Sequence, residues 1–173
     1  MGEIAFRRLA VGDMQQLYLW LGRPHVAKWY APAPSSFAEM VAKYAPRTEA
    51  ENVVQSYIAS VDRADCAYIQ TYPVREFPDY ARALECAETA AGVDLFIADP
   101  WRLNRGLGAQ MLRRFVDEIV FGANGAGECV AGPSEGNAAS IRAFEKAGFA
   151  RWKVVDAGGA ERECVMRMAR KTP

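Results

Sequence analysis

Apolar and polar positions switch between two periods along the chain, and each switch predicts an element boundary. Residues 4–9 alternate at period two and predict a first strand. Asp13 then stands where an N-cap is expected for a helix running to Leu21, with Met14, Leu17 and Leu21 on one face and Gly22-Arg23-Pro24 as its stop. Phe37, Met40, Val41 and Tyr44 recur at helical spacing and predict a second helix from Ser35 or Ser36 to about Tyr44, closed by Pro46. Residues 53–61 and 66–74 are rich in Val, Ile and Tyr. They predict adjacent antiparallel strands joined across Asp62-Arg63-Ala64-Asp65.

The next stretch, 73–91, is polar and irregular with Pro78 at its centre, and predicts a loop over a binding cleft. Residues 92–98 form a short apolar run suited to a central strand, broken by Asp99-Pro100. Leu107, Met111, Leu112, Phe115, Val116, Ile119 and Val120 then mark the strongest helix of the sequence, with Gly122 as its expected end. A strand over 128–131, a helix over 137–147 and strands around 149–155 and 161–168 complete the chain, the last two turning at Gly158-Gly159. Strand, two helices, three strands, helix, strand, helix and two strands make an α/β (α+β) pattern, neither barrel nor bundle.

At 173 residues, with 51% hydrophobic and 11% aromatic content, the chain suits one domain with a real core and argues against disorder. Basic and acidic residues balance at 21 each, so no overall field recruits nucleic acid or an anionic membrane, and any binding charge must be local. Residues 1–8 lack the apolar run of a signal peptide, and no stretch approaches the ~20 apolar residues of a membrane span, which reads as cytoplasmic. Cys66, Cys86, Cys129 and Cys164 are scattered and read as reduced thiols. With one histidine, His25, no zinc site of standard spacing is expected.

Local binding charge concentrates in one place. Arg102-Leu103-Asn104-Arg105-Gly106-Leu107-Gly108 joins a strand to a helix start, where unpaired backbone N–H groups and the positive dipole end converge. The two glycines let the backbone approach a phosphate, and 102–114 holds four arginines and no acid. Glycine at a helix start is also a common turn. The pattern matches neither the dinucleotide-binding nor the P-loop glycine motif, which leaves coenzyme A as the natural diphosphate-bearing candidate.

Arg105-Gly106-Leu107-Gly108 after an apolar strand, followed by Asn137-x-x-Ser140-x-x-x-Phe144-x-x-x-Gly148-Phe149, resembles the GNAT superfamily of N-acetyltransferases over nearly the whole chain. Within it, His25-Val26-Ala27-Lys28-Trp29, Gln70-Thr71-Tyr72, Gly92-Val93-Asp94-Leu95-Phe96 and Glu145-Lys146-Ala147-Gly148-Phe149 resemble the aminoglycoside 6′-N-acetyltransferases and the siderophore hydroxylysine acyltransferases. The resemblance implies a single GNAT-like domain with a mixed, mostly antiparallel central sheet flanked by helices. It also implies acetyl-CoA as cofactor, a small-molecule amine as partner, no metal, and a monomer or homodimer.

Carried onto this chain, the resemblance makes Asp94 the group that binds the acceptor amine and acts as its base, because an ammonium must lose a proton before it can attack. It assigns cofactor binding to Phe96, Ile97 and Ala98, with a backbone N–H near Phe96 polarising the thioester carbonyl. The same role falls to Arg102, Leu103, Asn104, Arg105, Gly106, Leu107, Gly108 and Ala109, and to Asn137, Ser140, Phe144 and Lys146. Asn137 also suits a helix N-cap, Ser140 a bond to its own backbone and Lys146 a solvated surface. Trp29, Tyr30, Gln70 and Tyr72 are candidate acceptor-pocket walls that would equally suit a core. Glu85 and Glu88, with Glu76 and Asp79, are a candidate acidic rim that Arg75 and Arg82 dilute, and His25 reads as structural.

Three positions depart from the pattern. Leu103 stands where Gln or Arg is usual, although the aminoglycoside group carries leucine there too. Phe144 replaces a common tyrosine and cannot protonate a leaving thiolate. Gly132 stands where aminoglycoside-acetylating relatives carry an aspartate before the proline matching Pro133. The expectation is an acetyl-CoA-dependent N-acetyltransferase of an aminoglycoside-like polyamine. A hydroxylysine N-acyltransferase and a non-catalytic acyl-CoA sensor are the alternatives.

Overall fold

The computed structural model describes residues 2–30, 33–156 and 161–171, and the expected Gly158-Gly159 turn lies outside them. Seven strands lie among the described residues: β1 (Ile4–Arg8), β2 (Gln55–Val61), β3 (Ala64–Pro73), β4 (Ala90–Ile97), β5 (Glu128–Ala131), β6 (Ala150–Val155) and β7 (Glu163–Ala169). They form one sheet in the order β1-β2-β3-β4-β5-β7-β6. β4 and β5 run parallel, while β1–β2, β5–β7 and β6–β7 are antiparallel, which is the mixed, mostly antiparallel sheet expected. No helix among the described residues is long and apolar enough to cross a membrane.

The residues group into two compact units, Met1–Gln70 with Leu95–Leu103, and Thr71–Asp94 with Asn104–Pro173. In the first, α1 (Met14–Leu21), α2 (Pro24–Ala27) and α3 (Phe37–Tyr44) pack a core of Leu9, Leu17, Leu21, Met40, Tyr44, Ile58, Tyr68 and Phe96. Ser36 caps α3, its hydroxyl accepting from the Glu39 N–H at 3.1 Å. Asp13 precedes α1 as expected but makes no cap: its carboxylate accepts from the Ala10 N–H at 2.8 Å and pairs with Arg7, which satisfies it elsewhere. Pro24 both stops α1 and opens α2, since a first-turn residue needs no N–H. α3 ends at Tyr44 as expected, and a 3₁₀ turn over Ala45–Thr48 follows with Pro46 in its first turn.

The β2–β3 hairpin turns on two residues rather than the expected four, Asp62 and Arg63, at φ of 52° and 66°. Both central residues of such a turn need positive φ, which suits glycine and strains arginine. Arg63→Gly is therefore expected to stabilise the fold by about 0.5–1 kcal/mol, the strain relieved exceeding glycine's entropy cost. A denaturant midpoint that stays put or falls would contradict this.

In the second unit, α4 (Pro78–Leu84) occupies the stretch expected to be an irregular loop. Pro78 sits in its first turn, so the residue that suggests a breaker is a starter. α5 (Leu107–Phe115) continues as a π-helix over Val116–Ala123, passing the expected stop at Gly122. The wide turn persists because the Asn124 N–H reaches the Ile119 carbonyl at 2.8 Å, five residues back. α6 (Ala138–Ala147) ends at Gly148, whose φ of 108° makes the left-handed cap. Val74, Leu84, Ala90, Val130 and Val165 form a buried cluster with Tyr80 packed against it.

Candidate functional site

The turn before α5 holds a run of unengaged amides. The Arg102 and Leu103 N–H groups are spent on the Asp99 and Pro100 carbonyls at 3.1 and 3.2 Å, so these two offer no free amide for a cofactor. Beyond them Asn104 (φ 58°) and Gly106 (φ 79°) twist the chain into the left-handed region. Gln110 supplies the first N–H of the helix start to reach a backbone carbonyl, Gly106 at 3.2 Å. The backbone N–H groups of Asn104 to Ala109 have no backbone acceptor among the described residues, which is the donor array an anion needs at a helix amino end.

Most of the positive charge expected of this turn is already paired. Arg102 pairs with Asp99 at 3.2 Å, Arg113 with Asp117 at 3.3 Å and Arg114 with Glu118 at 2.5 Å. Arg105 is exposed and makes no ion pair among the described residues, so it is the arginine left for a ligand.

At the end of β4, Phe96 is a core side chain, stacked on Tyr68 at 5.4 Å between ring centroids and met edge-on by Tyr30 at 4.9 Å. His25 reaches the Ile97 carbonyl with Nε2 at 3.1 Å, the structural role expected of it. Ala98 is a poor cofactor contact, because its N–H donates to the Cys66 carbonyl at 2.8 Å and its own carbonyl accepts from Arg23 at 2.5 Å.

On α6, Asn137 caps the helix by accepting from the Ser140 N–H at 3.1 Å, which leaves its amide NH₂ to donate. Lys146 is exposed. Phe144 is buried and lies edge-on to Phe149, 5.1 Å between ring centroids.

Asp94 is partly buried on β4, on the same strand face as Gly92. The Tyr72 ring lies so close over Gly92 that any Cβ there would strike it, and it meets Phe77 edge-on at 5.1 Å. Tyr80 from α4 donates its hydroxyl hydrogen to Glu163 Oε2 at 3.1 Å. Burial first, and then the Asp94 carboxylate, push the Tyr72 hydroxyl far above the ordinary phenol range. Tyr80 is raised by burial and by Glu163. Burial raises the Glu163 carboxyl, the Tyr80 hydrogen bond opposes this, and Asp94 adds to it. Burial is the larger cause for all three, and the like charges of Asp94 and Glu163 add to it.

The other expected acceptor residues have different fates. Gln70 is buried in a polar network, its Oε1 accepting from Arg47 at 2.6 Å and Tyr68 at 2.7 Å, with Ser56 on the Tyr68 hydroxyl at 2.7 Å. It is a strut of the first unit. Tyr30 joins that core, while Trp29 is exposed under the Lys28 ammonium, 4.5 Å from its ring centre. The acidic rim is largely neutralised, Glu76 by Arg75, Asp79 by Arg82 and Glu85 by Lys153, leaving Glu88 exposed without an ion pair among the described residues.

The sequence profile described as an acetyltransferase (GNAT) domain matches residues 10–157. The chain belongs to the GNAT acetyltransferase family. Among its GNAT relatives, the aminoglycoside N(6′)-acetyltransferases type 1 of Klebsiella pneumoniae and Serratia marcescens are each 30% identical over 151 residues, 86% of this chain and 75% of theirs. The crystal structure of the aminoglycoside acetyltransferase AAC(6′)-Ib with coenzyme A and kanamycin superposes with a TM-score of 0.86 at 29% identity, covering 97% of this chain and 95% of that one. The same enzyme with coenzyme A gives 0.85 at 28%.

Two groups beside Asp94 in this GNAT chain escape a reading by sequence pattern. Tyr80 lay inside the supposed loop. Glu163 begins a strand on the same face as Val165, and the signal that marks it is a charged residue beside the buried run Cys164–Met166.

Proposed function

We propose that this chain transfers the acetyl group of acetyl-CoA to a primary amine of an aminoglycoside. The similarity over 86% of the chain to aminoglycoside N(6′)-acetyltransferases carries the reading. The unengaged amides of Asn104 to Ala109 fit a diphosphate, and acetyl-CoA when bound supplies an acetyl thioester. Arg105, Asn137, Ser140 and Lys146 are the side chains proposed to assist its binding, along with the backbone of Phe96 and Ile97. The cradle needs no metal, because helix-end amides and one arginine meet the phosphate charge.

Asp94 attracts the acceptor ammonium and takes a proton from it, which frees the lone pair for attack. The negative field of Asp94 and Glu163 favours an acceptor carrying several ammonium groups over a neutral one. Tyr72 walls the acceptor's path beside Asp94, and Trp29 and Glu88 are proposed as outer contacts.

The test is thiol release from acetyl-CoA by the purified protein with aminoglycosides, linear polyamines and hydroxylysine. Aminoglycosides bearing a 6′-amine are expected to give a kcat/KM at least about tenfold above every other acceptor, a discrimination of one well-made charged contact. Hydroxylysine ranking first would move the reading to siderophore chemistry. Acetyl-CoA binding without turnover across the panel would reduce the chain to a sensor.

A further inference from the structure

Gly132 follows β5 and Glu163 opens β7, and the backbone ties the two segments together. Ser134 and Glu163 form an antiparallel bridge, and the Cys164 N–H donates to the Pro133 carbonyl at 2.9 Å. A Cβ built on Gly132 would collide with Glu163 Oε2, and would stand only 2.7 Å from the Tyr80 hydroxyl oxygen and 2.8 Å from Glu163 Cδ. The Glu163 carboxylate therefore fills the space that a side chain at position 132 would need. A side chain at position 132 would have to displace this carboxylate from where it stands.

The carboxylate's surroundings are unbalanced. Glu128, the other inward acid of the β5–β7 pair, is met by Arg167 and by the Ala87 N–H at 3.2 Å. Glu163 has the neutral Tyr80 hydroxyl as its hydrogen-bond donor and makes no ion pair among the described residues, although it is partly buried and feels the charge of Asp94. A desolvated carboxylate beside a like charge is costly until a cation arrives.

We propose that Glu163 determines acceptor specificity by binding a second ammonium of the polyamine, while the reacting amine lies at Asp94. This rests on the acetyl-transfer reading above. Tyr80 is a positioning residue: its hydrogen bond fixes one carboxylate oxygen and leaves the other for the ligand. The charge is then matched to acceptors with at least two amines, and an acceptor with one amine gains nothing from it.

The experiment compares steady-state kinetics of wild type, Glu163→Gln, Tyr80→Phe and the double variant Glu163→Ala with Gly132→Asp. The acceptors are kanamycin and a monoamine sugar. Glu163→Gln keeps the shape and can still accept from Tyr80, so KM for kanamycin is expected to rise about tenfold or more, the worth of one charge-assisted contact. kcat should change less than about threefold, and KM for the monoamine should rise far less than KM for kanamycin, because the monoamine has no second ammonium to lose and feels only the weaker field of Glu163 at Asp94. In the double variant the space vacated by Glu163 admits the carboxylate introduced at position 132, and KM for kanamycin should recover most of the loss. Tyr80→Phe should raise KM only a few-fold, the worth of a neutral hydrogen bond.

Equal KM increases for kanamycin and the monoamine, or a Tyr80→Phe effect as large as that of Glu163→Gln, would make Glu163 structural and overturn the proposal. An unchanged kanamycin KM in Glu163→Gln, with wild type active, would overturn it alone. Absence of aminoglycoside turnover in wild type would instead fell the acetyl-transfer reading beneath it.

Discussion

Asp94→Asn is expected to lower kcat/KM for the acceptor by about 10²–10⁴-fold, the usual worth of a positioned general base, while acetyl-CoA still binds. Asparagine keeps the size and hydrogen-bonding reach of the side chain but can neither hold an ammonium by charge nor take its proton. The proposed cofactor cradle consists of backbone amides before α5, which this substitution does not touch. Neighbouring groups supply a second readout. Asp94 raises the pKa of Glu163, Tyr72 and Tyr80 as a like charge, so removing it must lower all three. The Glu163 carboxyl would titrate closer to the ordinary glutamate range, and its ionised form would persist to lower pH. Calorimetry with acetyl-CoA and carboxyl titration by NMR separate this from unfolding. An Asp94→Asn protein that turns over at the wild-type rate would end the proposal that Asp94 is the base.

Much of the fold was legible because it is written in local periods. The strand over residues 128–131 and the α6 helix stand within a residue of their expected bounds, and the helical spacing after residue 107 named the element that presents the amides. Boundaries that rest on one ambiguous residue were not legible. Pro78 sits in a stretch that reads as a loop yet starts a helix, because proline suits a first turn as well as it disrupts an interior. Gly122 read as a stop, yet a π-helical hydrogen bond carries the chain past it.

The site divides along the same line. The turn proposed to hold an anion is contiguous, so its glycine and arginine spacing is visible in the sequence, although spacing could not say that three of the four arginines are already paired. Gly132, Glu163 and Tyr80 come from three distant segments. No local pattern joins them, and the glycine that looked like a lost carboxylate is the space into which another carboxylate fits.

Gly106→Asp is expected to weaken acetyl-CoA binding by about 30–100-fold, through repulsion of the diphosphate at the helix amino end. Gly106 precedes α5 at φ 79°, and the atom nearest to a built Cβ is Gln110 Nε2 at 3.9 Å. A side chain there meets no wall, so its two effects are backbone strain and charge. Strain of about 1–2 kcal/mol falls on any L-residue held in the left-handed region, and Gly106→Ala carries that part alone. Both variants should therefore lose similar thermal stability, while the alanine protein loses only a few-fold in affinity. Raising salt should narrow the gap between them, because screening acts on the charge and not on the strain. Equal affinities for the two variants would mean that the diphosphate does not lie against these amides. Unchanged affinity in both would remove the turn from the cofactor site altogether.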